Sequence, residues 1–224
     1  MTADILKIVI IDYGSGNLHS AKKAFVKALE NEQLEGDIIV SNNPEDLASA
    51  SHIVLPGVGA FGDCVDGLKA LDGMIAELEK QVLENKKPFL GICVGMQMLA
   101  KVGLEGSDEN KGHEGLGWLE GKVIKIDEGG TGELENLRIP HMGWNEVSFN
   151  RKDSNLAKDL EQDPHFYFVH SYYFKTDEKN IAATVNYGNN LTAIVEQDNI
   201  YGVQFHPEKS QKNGLNLIGN FLKI

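Results

Sequence analysis

The chain has 224 residues, of which 42% are hydrophobic, and its formal net charge at pH 7 is -12. This length suits one large α/β domain or two small ones. Because no linker-like segment and no internal repeat divides the chain, we predict a single domain over residues 1–224. No Lys/Arg cluster offsets the acidic excess, so the composition argues against a nucleic-acid-binding surface.

The cysteine count and the N-terminus predict a cytoplasmic protein. Two cysteines, Cys64 and Cys93, do not make a disulfide framework, which fits a reducing compartment. The segment from Met1 to Leu6 carries an acid and lacks the positively charged and long apolar regions of a signal peptide. No apolar run reaches membrane-spanning length, so we expect no membrane association.

In the first half of the chain, short apolar runs alternate with segments of helical hydrophobic spacing. The predicted elements are, in order, a strand from Leu6 to Asp12, a helix from Leu18 to Glu30, a strand from Asp37 to Ser41, a short helix from Pro44, a strand from Ser51 to Leu55, a long helix from about Asp66 to Glu84, and a fourth, buried strand that leads into Gly91. This alternation predicts a mostly parallel sheet with helices on both faces.

In the second half, the pattern changes to short strands. Polar, loop-like residues run from Gly103 to Gly115, and a Gly/acid-rich turn region runs from Asp127 to Glu135. The predicted strands are Trp118 to Ile126, Gly143 to Val147, His165 to His170, Ile181 to Asn186, Leu191 to Glu196 and Tyr201 to Phe205, and a helix from Asn213 to Leu222 follows them. We therefore predict an α/β fold with a mixed, mostly parallel central sheet and additional antiparallel strands in the C-terminal half.

A cysteine between two glycines marks the end of the fourth strand. Gly91-Ile92-Cys93-Val94-Gly95 is the thiol counterpart of the G-x-S-x-G nucleophile elbow, and good helix formers follow it. In such an elbow, a tight strand-to-helix turn presents the nucleophile at a helix N-terminus, which favours the reactive thiolate. The alternative is a buried structural cysteine, since free cysteine is among the most buried residue types.

A glycine-rich turn follows the third strand. Gly57-x-Gly59-x-x-Gly62 matches the dinucleotide fingerprint, but it lies in the third strand-turn unit, and the next strand ends at the cysteine rather than at a ribose-binding acid. The functional alternative is a loop whose backbone N–H groups bind an oxyanion. The remaining alternative is a tight connection without a function.

The last strand is followed by His206-Pro207-Glu208. On extended backbone, residues two apart point to the same side, so His206 and Glu208 can reach one site, with the carboxylate fixing the imidazole tautomer. Cys93 and His206 both follow apolar strands, at the edge where open α/β sheets form sites. Periodicity alone does not rank His206 above His170, which also ends a strand. No His/Cys cluster has metal-ligand spacing, so we expect no metal site.

Together, the cysteine elbow, the following Met96-Gln97 and the His-Pro-Glu stretch resemble the triad-type glutamine amidotransferase domain. Further stretches look like the glutaminase subunit of imidazole glycerol phosphate synthase: Asp12 to Leu18, Leu55 to Gly62, Pro140 to Asn145, Phe168 to Tyr172, and Gly202 to Ser210. The likeness covers nearly the whole chain. Val94 stands where the family usually has Leu, a change that leaves a backbone N–H donor unaffected.

The resemblance implies roles for the catalytic residues. Cys93 would attack the carboxamide carbon of glutamine, His206 would act as base and then as acid, and Glu208 would orient His206. Backbone N–H groups of Val94 and of the Gly57-Val58-Gly59 loop would bind the oxyanion. No cofactor is implied.

The resemblance also implies binding residues and a partner. Gln97, Ser171 and Tyr172 would bind the amino-acid head of glutamine. Ammonia would pass to a separate (β/α)8-barrel cyclase subunit in a heterodimer, which makes imidazole glycerol phosphate and aminoimidazole carboxamide ribotide in histidine biosynthesis. The residues that match the family's interface are Asn17, Trp144, Tyr167 and Lys209.

Three alternatives stay open on the sequence. A different amidotransferase, for pyridoxal phosphate or anthranilate synthesis, would share the triad, although the Pro-His-Met-Gly-Trp-Asn stretch speaks against it. A free-standing γ-glutamyl hydrolase would be active without a partner. A non-catalytic regulatory module on the same fold is opposed by the intact Cys, His and Glu.

Overall fold

The computed structural model describes residues 5–107, 111–126, 137–151 and 153–224. The predicted turn region from Asp127 to Glu135 lies outside the described residues. In the N-terminal half the elements are β1 (Leu6–Ile11), α1 (Leu18–Glu32), β2 (Gly36–Ser41), α2 (Glu45–Ser49), β3 (His52–Gly57), α3 (Phe61–Lys69), α4 (Met74–Leu78), β4 (Phe89–Cys93) and α5 (Val94–Gln97).

The C-terminal half consists mainly of strands. Its elements are β5 (Val102–Gly103), β6 (His113–Glu114), β7 (Gly121–Lys125), β8 (His141–Phe149), β9 (His165–His170), β10 (Tyr172–Thr176), β11 (Ile181–Tyr187), β12 (Asn189–Gln197), β13 (Ile200–Val203) and α6 (Gln211–Leu222). Short 3-10 helices cover Glu178–Asn180 and Pro207–Lys209.

The central sheet has nine strands in the order β2-β1-β3-β4-β13-β12-β11-β8-β9. The pairs from β2 through β13 are parallel, and the pairs from β13 through β9 are antiparallel. A second sheet of four strands has the order β10-β7-β5-β6. The predicted mixed sheet with added antiparallel strands is thus confirmed.

Burial explains why the parallel strands read as continuous apolar runs. Every residue of β3 and of β4 is buried, because the sheet is covered on both faces at its centre. Helices α1 and α6 pack together on the sheet, where the rings of Phe25 and Phe221 meet edge to face. None of the helices in the described ranges has the length and apolar character needed to cross a membrane.

Two predicted elements were wrong in detail. The single helix from Asp66 to Glu84 is instead α3, α4 and a π-helical turn over Glu79–Glu84. Gly73 interrupts it with a φ of 75°, a conformation that ends a right-handed helix and that glycine adopts without steric cost. The loop-like stretch from Gly103 to Gly115 contains part of β5 and all of β6, which pair with each other.

Candidate active site

The centre of the sheet brings distant parts of the chain to one edge. β4 lies between β3 and β13 and is parallel to both. In this register Cys93 is the partner of Gly57, and Ile92 is the partner of Val203. The carboxyl ends of these three strands therefore place the cysteine elbow, the glycine-rich loop and the His-Pro-Glu stretch side by side.

The turn at Cys93 has the geometry of a nucleophile elbow. Its backbone has φ 55° and ψ -111°, which is a strained conformation for a residue with a side chain. A Cβ at Gly91 would lie 2.5 Å from the Gly95 carbonyl oxygen, and a Cβ at Gly95 would lie 1.8 Å from the Leu55 carbonyl oxygen. Both glycines are therefore required by close backbone contacts, which is the physical reason for the G-x-C-x-G pattern.

His206 and Glu208 form a buried pair next to the elbow. His206 Nδ1 lies 2.9 Å from Glu208 Oε1, and the two side chains are 2% and 3% exposed. The backbone of Glu208 lies in a 3-10 helix, so the predicted extended conformation was wrong there. The contact forms all the same, because the turn carries the carboxylate back towards the ring.

The charges around His206 favour its protonated form. Burial lowers the pKa of His206, but its interactions with Cys93 and Glu208 outweigh this effect and raise the pKa to about 10. His206 Nε2 is buried and has no hydrogen-bond partner among the described residues. His206 therefore interacts with Glu208 through Nδ1 and, on its other side, with Cys93.

These groups line a pocket of about 270 Å³. Of the residues predicted from the sequence, it is lined by Val58, Gly59, Cys93, Val94, Gln97, Ser171, Tyr172 and His206. Gly57 is the sheet partner of Cys93 and is not among the residues that line the pocket. Glu208 does not line the pocket and contacts it only through His206.

Gln97 offers the pocket an acceptor and no donor. Its Nε2 donates to the Tyr172 carbonyl oxygen at 2.9 Å and to Gln204 Oε1 at 3.0 Å. Both amide hydrogens are therefore used within the protein, and Oε1 is the atom left for a ligand. An acceptor in this position suits a ligand ammonium group.

Glu105 is a pocket residue that the sequence did not single out. Its Oε2 accepts the Phe61 N–H at 2.8 Å, which fixes a carboxylate in the pocket lining. Glu105 lies in the polar stretch that follows the elbow helix, where no periodic pattern separates it from other surface acids. Only the fold shows that it faces the cysteine site.

The glycine-rich loop is held by Ser15. The Val58 N–H donates to Ser15 Oγ at 3.2 Å, and Ser15 Oγ donates to the Val58 carbonyl oxygen. In this conformation the Val58 N–H is used by Ser15 and is not available to an oxyanion at Cys93. The backbone N–H groups of Gly59 and Val94 belong to residues that line the pocket.

Three of the four predicted interface residues form one aromatic and basic cluster. The rings of Trp144 and Tyr167 lie 6.1 Å apart, and Lys209 Nζ lies 5.9 Å from the centre of the Tyr167 ring. The Trp144 side chain is 45% exposed, which is high for a large aromatic residue. Asn17 lies elsewhere, beside a small void that His206 and Glu208 also line.

His170 lines the pocket and lies against the buried His141, and the sequence did not indicate that these two histidines meet. His170 Nδ1 donates to the Tyr172 carbonyl oxygen at 2.9 Å, and His170 Nε2 lies 2.9 Å from His141 Nδ1. Burial lowers the pKa of His170 to about 3, so its ring is neutral near pH 7. His170 thus has different partners from His206, which contacts Glu208, and the assignment of His206 as the base stays a prediction.

Among the residues that the structure describes, no group of three or more His, Cys, Asp or Glu side chains has an arrangement that could hold a metal ion.

Comparison with known proteins identifies the family. A family model described as glutamine amidotransferase class-I matches residues 9–224. The chain is 45% identical over 219 residues to the imidazole glycerol phosphate synthase subunit HisH of Rhodospirillum rubrum, an alignment that covers 97% of this chain and 99% of that protein. The subunit of the same name from Pelagibacter ubique is 41% identical over 220 residues. That alignment covers 98% of this chain and 100% of the Pelagibacter ubique protein.

Solved structures share the fold at lower identity. A glutamine amidotransferase crystal structure matches with a TM-score of 0.67 and 21% identity over 96% of this chain and 99% of that one. A glutamine amidotransferase from Thermotoga maritima matches with a TM-score of 0.57 and 18% identity. The match covers 91% of this chain and 76% of the Thermotoga maritima chain. The chain therefore belongs to the class-I glutamine amidotransferases, within the family of imidazole glycerol phosphate synthase subunits named HisH.

Proposed function

We propose that the chain is the glutaminase subunit of an imidazole glycerol phosphate synthase, which hydrolyses glutamine to glutamate and ammonia. The observation that carries this proposal is the buried row of Glu208, His206 and Cys93 at the edge of a pocket of about 270 Å³. A nucleophile, a base and an orienting carboxylate are the groups that acyl transfer from an amide requires.

The first half-reaction forms a thioester. The Cys93 thiolate attacks the carboxamide carbon of glutamine, and the carbonyl π electrons move to oxygen. When the tetrahedral intermediate collapses, the C–N bond breaks, and His206 Nε2 gives its proton to the departing amide nitrogen, which leaves as ammonia. Glu208 accepts the Nδ1–H throughout, which keeps the imidazole in one orientation.

The second half-reaction releases glutamate. Neutral His206 removes a proton from water, whose oxygen attacks the thioester carbon. The C–S bond then breaks, the Cys93 thiolate leaves, and the imidazolium is restored. Each turnover thus consumes one water and returns the enzyme to its starting protonation state.

The charges of the pocket suit the amino-acid head of glutamine. Gln97 Oε1 and the Glu105 carboxylate are acceptors for the α-ammonium group. Ser171 and Tyr172 line the same pocket at the start of β10 and supply polar groups for the α-carboxylate. An amide side chain of this length then reaches the cysteine.

The oxyanion would be stabilised by the Val94 N–H and by the loop from Gly57 to Gly59. Because glycine tolerates both signs of φ, the Gly57-Val58 peptide can rotate and present its N–H to the site. Losing one oxyanion donor costs about 2.7–4 kcal/mol, or roughly 10²–10³ in rate. The conformation with Ser15 bound therefore represents a resting state of low activity.

The partner would be a (β/α)8-barrel cyclase subunit that receives the ammonia. Supporting this, the relatives are named as subunits of a synthase. The exposed Trp144, with Tyr167 and Lys209, supplies an aromatic and basic surface of the kind found at protein interfaces. Asn17 would extend this contact towards the triad. We place the heterodimer in the cytoplasm and expect it to need no cofactor in the glutaminase half.

The experiment that tests the proposal is glutamate release by the chain alone, with a candidate barrel subunit, and with the barrel plus its nucleotide ligand. We expect low activity alone and strong stimulation by the liganded barrel. An electrophilic glutamine analogue should modify Cys93 and leave Cys64 untouched, because burial raises the pKa of the Cys64 thiol. Cys93→Ala should abolish glutamate release.

Contrary outcomes separate the alternatives. Near-normal activity of Cys93→Ala would show that the elbow cysteine is not the nucleophile. A free chain as fast as the liganded complex would favour a free-standing γ-glutamyl hydrolase. Stimulation by a synthase subunit for pyridoxal phosphate or anthranilate, and not by the cyclase barrel, would assign a different amidotransferase.

A further inference from the structure

Besides His206, a second side chain is directed at the nucleophile. The Gln204 side chain is completely buried, and its Nε2 lies 3.7 Å from Cys93 Sγ, within hydrogen-bond distance of a sulphur. Gln204 directly follows β13 and lies two residues before His206. The mechanism described above does not use it.

The orientation of the Gln204 amide is fixed by its neighbours. The Tyr172 carbonyl oxygen can only accept, so Gln97 must present its amino group to it at 2.9 Å. The same amino group donates to Gln204 at 3.0 Å, which requires Gln204 to present Oε1. The Gln204 amino group is consequently left on the side of Cys93, and a rotated amide would place two donors face to face.

The starting point of this chain of hydrogen bonds is itself immobilised. The Tyr172 carbonyl also accepts the Nδ1–H of His170 at 2.9 Å, and His170 Nε2 lies 2.9 Å from His141 Nδ1. His141 is completely buried, and its ring stacks on Tyr187 with centroids 3.9 Å apart. The direction of the Gln204 N–H is thus set by a backbone atom held from two sides.

We propose that Gln204 is a positioning residue of the nucleophile, whose side-chain N–H donates to Cys93 Sγ and favours the thiolate over the thiol. This inference rests on the proposed function of Cys93. An N–H donor interacts more strongly with an anionic sulphur than with a neutral one. On ionisation the S–H bond breaks and the proton moves to His206 Nε2, while Gln204 exchanges no proton.

The other titratable groups around the cysteine do not replace this donor. His206 receives the proton and carries the positive charge. Tyr13 and Cys64 interact with Cys93, and burial raises the pKa of both, so they remain neutral. Glu105 lies in the same pocket and, as an anion, disfavours the thiolate. Gln204 therefore supplies a donor that the charged groups do not.

The test measures the rate at which iodoacetamide alkylates Cys93 in the full chain as a function of pH, by mass spectrometry of the Cys93 peptide. Gln204→Met keeps the volume and removes the donor, and Gln204→Glu keeps the shape and offers only an acceptor in its ionised form. We expect the midpoint of the Cys93 profile to move up by about one pH unit in Gln204→Met, which is roughly tenfold less thiolate below the midpoint. The shift should be larger in Gln204→Glu.

The matched control is Gln81→Met. Gln81 is 3% exposed and, like Gln204, both donates and accepts through its side-chain amide. It lies in the π-helical turn Glu79–Glu84, where it donates to Glu77 and accepts from Asn85. This variant should leave the Cys93 profile unchanged. If Gln204→Met does not fold, Gln97→Met serves instead, since it removes the group that orients Gln204 and should raise the midpoint as well.

A folded Gln204→Met with the wild-type alkylation profile would overturn the inference. So would a shift of equal size in Gln81→Met, because it would show a general effect of losing a buried amide. The glutaminase assay separates this from the proposed function. The pH profile of Cys93 alkylation tests the role of Gln204 even if no barrel subunit stimulates the chain. Glutamate release stimulated by the barrel supports the proposed glutaminase function even if Gln204→Met leaves the alkylation profile unchanged.

Discussion

The Ser15 hydroxyl holds Val58 from both sides, accepting its N–H at 3.2 Å and donating to its carbonyl oxygen. These two bonds keep the glycine-rich loop in the conformation that withholds a donor from the cysteine pocket. Removing the hydroxyl should therefore raise the activity of the free chain. A hydrogen bond of this kind is worth about 1 kcal/mol, so we expect Ser15→Ala to release glutamate roughly fivefold faster without the barrel.

The matched control for Ser15→Ala is Ser49→Ala. Ser49 Oγ bonds the Asp46 carbonyl oxygen and lies on α2, away from the pocket. With the liganded barrel, Ser15→Ala and wild type should have similar rates, so that stimulation by the partner decreases. A lower basal rate in Ser15→Ala would mean that Ser15 supports the active conformation instead.

Glu208 should matter less than the two groups that take part in bond making. In Glu208→Gln the amide oxygen can still accept the His206 Nδ1–H, so the orientation of the ring survives. We expect turnover with the partner to fall by about one to two powers of ten, and by far more in His206→Ala or Cys93→Ala. Loss of the carboxylate also lowers the pKa of His206, because an attractive charge is removed.

The pH profile measures that second effect. In wild type the raised pKa of His206 keeps its imidazole protonated well above neutral pH. In Glu208→Gln the alkaline limb of the profile should move to lower pH. Equal losses for Glu208→Gln and His206→Ala would indicate that the carboxylate has a chemical role beyond orientation.

Acid should destabilise the fold through His52. Burial lowers the pKa of His52 to about 4, whereas the unfolded chain binds the proton near pH 6.5. The stability contributed by neutral His52 is therefore fully present above about pH 6.5 and is lost as pH falls towards 4. His52→Phe keeps the ring contact with Phe221 and removes the titration.

Urea denaturation at several pH values checks this prediction. Between pH 6 and 4.5, the free energy of unfolding of His52→Phe should decrease less steeply than that of wild type, by up to about 1.4 kcal/mol per pH unit. The exposed His19 provides a control, and His19→Gln should retain the wild-type slope. Identical slopes for all three proteins would contradict a lowered pKa at His52.

Gly95 should tolerate no side chain. The Cβ of Gly95→Ala would lie 1.8 Å from the Leu55 carbonyl oxygen, so β3 and the elbow must separate. We expect a loss of at least about 3 kcal/mol in unfolding free energy or a failure to fold. Gly106→Asn is the control, because Gly106 has open space and a φ of 66° that asparagine accepts. Equal denaturation midpoints for the two variants would contradict the contact.

The features that the sequence predicts well are those with a local physical cause. The elbow can be predicted because Gly91 and Gly95 are both required by close backbone contacts. Gly91 lies against Gly95 in the same turn, and Gly95 lies against Leu55 in the adjacent strand. The parallel strands are visible because burial on both faces removes polar residues from them. The break at Gly73 is less visible, since a single glycine also occurs within helices at a modest cost.

The features that the sequence does not predict depend on the meeting of distant segments. In the sequence, His170 and His206 each come at the end of a predicted strand. Only their partners in the fold distinguish them, since His170 contacts the Tyr172 carbonyl and His206 contacts Glu208. A single residue, Ser171, separates the end of β9 from the start of β10. The sequence therefore lacks the longer turn from which a new strand is predicted. Gln204 follows an apolar strand and Glu105 lies in a polar loop. Neither pattern indicates that Gln204 contacts Cys93 or that Glu105 lines the same pocket as the cysteine.

The backbone angles of Cys93 set stability and function against each other. A φ of 55° with a ψ of -111° is a region that glycine occupies far more readily than any other residue. Glycine at position 93 would relax the turn and remove the sulphur in a single substitution. Selection for folding alone would favour that replacement. If Cys93 is the nucleophile, we therefore expect a relative with glycine at this position to keep the fold and to lack glutaminase activity.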